Sequence, residues 1–167
     1  MSYIRVAMLL SLTLVALAGC DSASSNTTST NISISSVTPF TEDDGLNGSL
    51  VHATTSCPNG SVWVGYGPNG NGITRILPTP TENLTEADGL SKNSVYALSC
   101  DSENNLWVGY GVNSGGLSVF DGSTWSTFTE EDGLSSNYVE SVAAGSGNTL
   151  WITFGNNGRG VNRVELQ

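Results

Sequence analysis

Six carboxylates recur at fixed offsets: Glu42 and Asp44, Glu86 and Asp88, Glu130 and Asp132. They sit in the hexapeptides T-E-D-D-G-L (41–46), T-E-A-D-G-L (85–90) and T-E-E-D-G-L (129–134). Gathered at one rim, such groups could hold Ca²⁺, which takes six to eight oxygen ligands. A plainer job suits the same spacing: Asp before Gly sets a turn, Asp bonding its own backbone and Gly supplying positive φ. Because every unit repeats the motif, Asp44, Asp88 and Asp132 are expected to be structural and no metal is expected. Trp63, Trp107 and Trp151 keep the same step. They could stack on sugars, but one Trp per unit inside a short apolar run reads as core between units. Asn93 and Asn137, just ahead of a first strand, are better ligand candidates, expected to face a central funnel. Tyr66, Tyr110, Tyr138 and Trp125 are expected to add partly exposed aromatic surface. Amides and rings of this kind suit carbohydrate recognition.

Groups for catalysis are scarce. His52 is the only histidine, and no Cys/His grouping has zinc spacing. No nucleophile elbow, phosphate loop or dinucleotide fingerprint occurs. Catalysis needs a positioned acid, base or nucleophile from unlike residues, and Arg75, Arg159, Arg163 and His52 do not evidently converge. The expectation is a chain that is not an enzyme and has no cofactor.

The elements that position these groups follow from the repeat. The period is 44 residues, with units starting near 41, 85 and 129. A constant period of that length with one Trp per unit marks propeller blades. In the second unit, Ser94–Cys100 is apolar on both alternations, as in a strand buried on both faces. Asp101–Asn105 is a polar turn, Leu106–Tyr110 a second strand, and residues 112–116 reverse the chain. Leu117–Phe120 forms a third strand, Asp121-Gly122 a hairpin turn, and Thr124–Thr129 a fourth strand. The fold class is all-β: about three four-stranded antiparallel repeats, each one propeller-type blade.

The run D-G-L-S-x-N-x-V, then N-L-W-V-G-Y, then G-G-L-S-V-F-D-G-S-T-W closely resembles the two-component regulator propeller repeat. The resemblance covers about residues 41–167 and is strongest in the second repeat. It implies the periplasmic sensing propellers of hybrid histidine kinases. The first repeat departs from it: Leu77-Pro-Thr-Pro-Thr81 replaces the F-D-G turn, and no Trp matches Trp125. Tyr66, Tyr110 and Phe154 stand where the family usually has Thr, and Thr153 replaces the Gly of W-V-G in the last unit.

The phase of the repeat bears on closure. Residues 32–41 match the fourth strand of a blade, and 160–166 match a third strand, giving twelve expected strands. Three blades are fewer than the four to eight that typically close a ring. Two chains joined head to tail would supply six, with each outer strand given by the neighbour. An open wedge completed by another propeller protein, and a remnant of a longer sensor, are the alternatives. Cys57 and Cys100 are one residue out of register when aligned on the tryptophans, which favours two separate thiols over a disulfide.

The first 19 residues read as a lipoprotein signal peptide. Arg5 gives the positive end, Val6–Ala18 the apolar run, and Leu17-Ala18-Gly19-Cys20 resembles a lipobox with Cys20 as the lipidated residue. Residues 20–31 carry no large apolar side chain and form a Ser/Thr/Asn tether, spanning roughly 18 Å root-mean-square. The repeats occupy 32–167. After cleavage four basic residues (Arg75, Lys92, Arg159, Arg163) face fifteen acidic ones, about −11. That charge argues against nucleic acid as a partner. Taken together these features describe a non-catalytic binding module in the bacterial cell envelope. It would be lipid-anchored to a membrane and face the periplasm or the cell surface. It would recognise an oligosaccharide or a protein partner, as an accessory to two-component sensing. An assembly protein using exposed blade edges is the second class.

Overall fold

A computed structural model describes residues 33–76, 80–111, 115–155 and 160–167. The expected signal peptide, Cys20 and the tether lie outside the described residues, as does most of the reversal at 112–116. Among the described residues the chain forms eleven strands in three antiparallel sheets of four, four and three. The first sheet is β1 (Val51–Ser56), β2 (Val62–Tyr66), β3 (Ile73–Ile76) and β4 (Glu82–Leu84). The second is β5 (Ala97–Cys100), β6 (Leu106–Tyr110), β7 (Gly116–Phe120) and β8 (Trp125–Phe128). The third is β9 (Val139–Ala144), β10 (Thr149–Phe154) and β11 (Val161–Glu165). Within each sheet the strands pair in chain order, and consecutive sheets meet most closely through their first strands, β1 on β5 and β5 on β9. This is the meander-per-blade plan of a propeller, with the first strand of each sheet innermost.

Local chemistry sets the turns. Ahead of each sheet a short 3-10 turn spans Glu42–Asp44, Glu86–Asp88 or Glu130–Asp132. The Thr41 backbone N–H and hydroxyl both donate to Asp44 Oδ2, at 2.9 and 3.0 Å. Thr85 with Asp88 and Thr129 with Asp132 repeat the arrangement. These are capping boxes, and the glycine that follows each takes the left-handed conformation an L side chain resists. The recurring acidic motif is thus a device for changing sheets. At the β7–β8 hairpin the Asp121 carboxylate accepts from the backbone N–H and hydroxyl of both Thr124 and Ser123. Those bonds, the Thr124 backbone N–H first, hold its carboxyl well below the ordinary value.

Two apolar interfaces join the sheets. The first packs Trp63, Ile73 and Leu84 of one sheet on Leu90, Val95, Leu98, Leu106 and Val108 of the next. The second packs Ala97, Trp107 and Leu117 on Val139, Val142, Leu150 and Ile152. In the first sheet Arg75 stands where the second has Val119. Its guanidinium lies 5.4 Å from the Trp63 ring centroid and pairs with Glu82 across the β3–β4 ladder.

The structure corrects four expectations. Residues 33–40 form no strand. The edge they match, that of β11, belongs to the third sheet, and an extended segment without an edge gains no ladder bonds. Trp151 is not core: it is 45% exposed against 4% for Trp63 and 5% for Trp107, because no further sheet packs on its face. Tyr66 and Tyr110 are not partly exposed surface but fully buried. The Tyr66 hydroxyl accepts from Asn47 N–H at 2.7 Å and bonds Thr74 Oγ1 at 2.7 Å. The Ser91 N–H donates to the Tyr110 hydroxyl at 3.2 Å.

Finally, Cys57 and Cys100, 43 positions apart in the sequence, are joined by a disulfide with Cα atoms 5.2 Å apart. Away from the inner strand ends, repeat-equivalent residues point the same way around the propeller. Because side chains alternate along a strand, an odd offset turns one of the pair towards the other. Two hydrogen bonds between neighbouring sheets obey the same rule. Asn59 N–H to Asn104 Oδ1 and Ala144 N–H to Ser99 Oγ each join residues 45 apart.

Candidate functional site

The expected amides are committed to the fold. Asn93 Oδ1 accepts from Glu86 N–H at 2.8 Å while Asn93 N–H donates to Glu86 Oε1 at 2.9 Å. Asn137 and Glu130 form the same reciprocal pair at 2.8 and 3.0 Å. Their carbonyl oxygens accept from Gly72 and Gly116 of the preceding sheet. Both residues therefore staple a 3-10 turn to its neighbour. Trp125 stacks on Phe120, centroids 4.7 Å apart at 22°, and packs against the first interface. Of the aromatic candidates only Tyr138 stands at the ends of the inner strands, and there it has two companions.

His52, Tyr96 and Tyr138 form a row of rings running across the three sheets. The His52 and Tyr96 centroids are 4.6 Å apart with planes at 47°, and Tyr96 and Tyr138 are 6.3 Å apart at 64°. His52 is exposed and the two tyrosines are half-buried. Two sequence features build the row. First, β1 and β9 each carry a β-bulge, at His52 and at Glu140, and Tyr96 holds the equivalent repeat position ahead of β5. A bulge leaves its residue unpaired and re-aims the side chain. Second, the second strand of each sheet is followed directly by a glycine: Gly67, Gly111 and Gly155. A Cβ there would meet His52 at 2.9 Å, Tyr96 at 2.5 Å and Tyr138 at 2.0 Å. The glycines let each ring lie flat on the neighbouring backbone.

The third unit varies the pattern. Glu140 takes the place of Tyr96, and the ring comes from Tyr138, two residues earlier on the strand. Its partial burial, with the Glu140 carboxylate and Tyr96 nearby, pushes the Tyr138 hydroxyl above its ordinary value. The row thus offers aromatic faces, two phenol hydroxyls, one imidazole and one carboxylate. That inventory can stack on and hydrogen-bond a polar ring-bearing ligand. Among the described residues no group of three or more His, Cys, Asp or Glu is placed to hold a metal ion.

Sequence reasoning found Tyr138 and missed His52 and Tyr96. The signal was present: both fall at the same place in their units, one residue after a valine, and each is followed 15 residues later by glycine.

The eleven strands, their three-sheet order and the Trp-centred interfaces define a propeller-type repeat domain. Residues 89–111 match the family described as two component regulator propeller. The crystal structure of the extracellular domain of BT3049, assigned to a hybrid two component system of B. thetaiotaomicron, superposes with a TM-score of 0.53 at 22% identity. It covers 63% of this chain and 14% of its own. The extracellular domain of BT4673 from the same organism gives a TM-score of 0.53 at 18% identity over 70% of this chain and 16% of its own. Likeness at this identity speaks for the fold. The chain spans about one-seventh of the length of these structures. No curated protein matches it.

Proposed function

We propose that this chain is a non-catalytic binding module of the bacterial cell envelope that presents the His52–Tyr96–Tyr138 row to an oligosaccharide. The single observation that carries this reading is the row itself. Three rings from three sheets are exposed or half-buried at the innermost strands, each seated against a glycine, with a bulge presenting His52. Aromatic faces beside hydroxyl and carboxylate groups match the mixed apolar and polar faces of sugars. The Cys20 lipobox supports attachment to a membrane. The propeller repeat at 89–111 supports a role accessory to two-component sensing.

Calorimetric titration of the purified chain against a panel of neutral and acidic oligosaccharides tests the reading. Binding is expected for at least one class, with affinity reduced tenfold or more in Tyr96→Ala and in Tyr138→Ala. Binding that is indifferent to both substitutions, or no binding across the panel, sinks it.

A further inference from the structure

Among the described residues the third sheet has three strands and room for a fourth where the first two sheets have one. Gly72 and Gly116 open the third strands of the first two sheets with φ of 80° and 75°. A Cβ at Gly72 would lie 2.1 Å from the Leu84 carbonyl oxygen, and one at Gly116 would lie 2.2 Å from that of Phe128. Glycine is needed here to admit the carbonyl that closes the fourth strand. Gly160 repeats the conformation, φ 77°, ahead of β11, yet no described atom stands within 4 Å of its Cβ position. A second glycine tells the same story. Gly45 abuts Thr81 at 2.4 Å and Gly89 abuts Trp125 at 2.6 Å, both residues lying at the start of the fourth-strand region, whereas nothing described stands within 4 Å of Gly133. Beside Gly133 and β11 lies a groove of about 460 Å³ lined by Trp107, Phe128, Leu134, Val164 and Leu166 among others.

The same chain carries a segment that fits. Residues 37–40 (V-T-P-F) hold the repeat position of β8 (W-S-T-F), and Thr41 then matches Thr129. Val37 and Phe40 are exposed. Pro39 falls at the position of Thr127, which pairs with Ser118. Since Asp121 N–H bonds the Thr124 carbonyl, alternation along an antiparallel ladder places the exchanged bonds at 119–126 and 117–128. The N–H at position 127 then points away from β7, where a proline is tolerated.

The end faces complement one another as well. Val95 and Val139 are fully buried against the preceding sheet, while their counterpart Val51 is 43% exposed. Trp151 and Val161 are exposed at the other end, where Trp107 and Leu117 are buried. These two faces are the halves of a contact the chain already makes twice within itself.

We propose that a second copy of this chain covers both. Residues 37–40 of each copy add to the β11 edge of the other, Phe40 opposite Val161 and Val37 opposite Val164. The Trp151 face of each third sheet packs on the Val51 face of the other's first sheet. Two copies then form a closed six-bladed ring, inside the usual four to eight, with no sheet edge left open. The donated strand and both faces belong to one chain, so a second copy can satisfy the open positions of the described residues. This inference does not depend on the oligosaccharide reading.

The test uses the full chain in mild detergent. Val37→Cys and Val164→Cys are placed on separately tagged copies, mixed and oxidised. A disulfide-linked pair carrying both tags is expected, and Ile34→Cys, three residues out of register, is expected to link at least tenfold less. Light scattering should give the mass of two chains. Phe40→Asp should weaken self-association at least tenfold while leaving the melting temperature of the separated chain within a few degrees of the parent, because Phe40 is 54% exposed in the lone chain. A one-chain mass at micromolar concentration overturns the proposal. So does failure of the mixed copies to link, or a Val37→Cys, Val164→Cys double variant that links only within itself.

Discussion

The Trp107 indole N–H donates to Asp101 Oδ2 at 3.0 Å, inside the turn that joins β5 to β6. The same carboxylate accepts from the Asn105 side chain and from the backbone N–H groups of Asn105 and Glu103. Burial pushes the Asp101 carboxyl up, but these four bonds, the Trp107 bond first, together outweigh it and hold it below the ordinary value. One side chain therefore closes a hairpin and orients the tryptophan at the second interface.

Asp101→Ala is expected to lower unfolding free energy by about 1–3 kcal/mol, the cost of leaving buried donors unmatched. Because the folded carboxyl is more acidic than the unfolded one, its contribution is complete above about pH 4 and is lost as pH falls further. Chemical denaturation of parent and variant between pH 7 and pH 3 should show the difference shrinking on acidification. A gap of constant size would refute the assignment.

The Cys57–Cys100 bond closes a long loop between the first two sheets, and such closures are worth about 2–4 kcal/mol. Removing it, with Cys57→Ser and Cys100→Ser together, should lower the denaturant midpoint accordingly without changing the far-ultraviolet spectrum. A parent chain that titrates with thiol reagent at these positions under native conditions would contradict the bond.

Alkali probes a different group. Burial, more than any other cause, raises the Tyr110 hydroxyl to about 12. The neutral phenol is thus favoured in the folded state. Its stabilisation is complete below about pH 10 and lost as pH rises towards 12. Tyr110→Phe should remove part of that alkaline sensitivity. At neutral pH it should cost about 1–2 kcal/mol through the Ser91 N–H it leaves without its acceptor. Melting curves from pH 8 to 11 on both proteins decide the matter.

At the aromatic row, Gly155→Ala is a sharper test than removing a ring. The added methyl would meet Tyr138 at 2.0 Å and must push the ring off its seat. The expected result is a loss of oligosaccharide affinity comparable to Tyr138→Ala, with a stability cost of about 1–3 kcal/mol from overpacking. Unchanged affinity would mean that the position of Tyr138 does not matter to the ligand.

Much of the fold was legible because the repeat makes each unit a check on the others. Leu106–Tyr110 was delimited to the residue, since a Trp in an apolar run between an Asn turn and a glycine occurs three times. What was misjudged depends on which partners the fold brings together, within a sheet or between sheets. The disulfide was discounted by aligning Cys57 and Cys100 as if facing residues were equivalent residues, when neighbouring blades present opposite faces. Tyr66 and Tyr110 were placed outside because a phenol at a strand end looks like surface. Only the structure shows Asn47, Thr74 and Ser91 arriving to meet the hydroxyls. The sequence does not show that Glu86 and Glu130, seven residues earlier, fold back onto Asn93 and Asn137. The row of His52, Tyr96 and Tyr138 escaped notice because its third ring is displaced by two residues, a shift that a strict repeat alignment hides and a strand of period two permits.

The one covalent bond between sheets ties the first to the second; the third is held by apolar contacts and hydrogen bonds alone. Under load the molecule is therefore asymmetric. A pull on the end near Gln167 would strip the third sheet first, while a pull on the amino-terminal side would meet a cross-linked pair. If the proposed anchor holds the amino end, the strengthened part is the part nearest it.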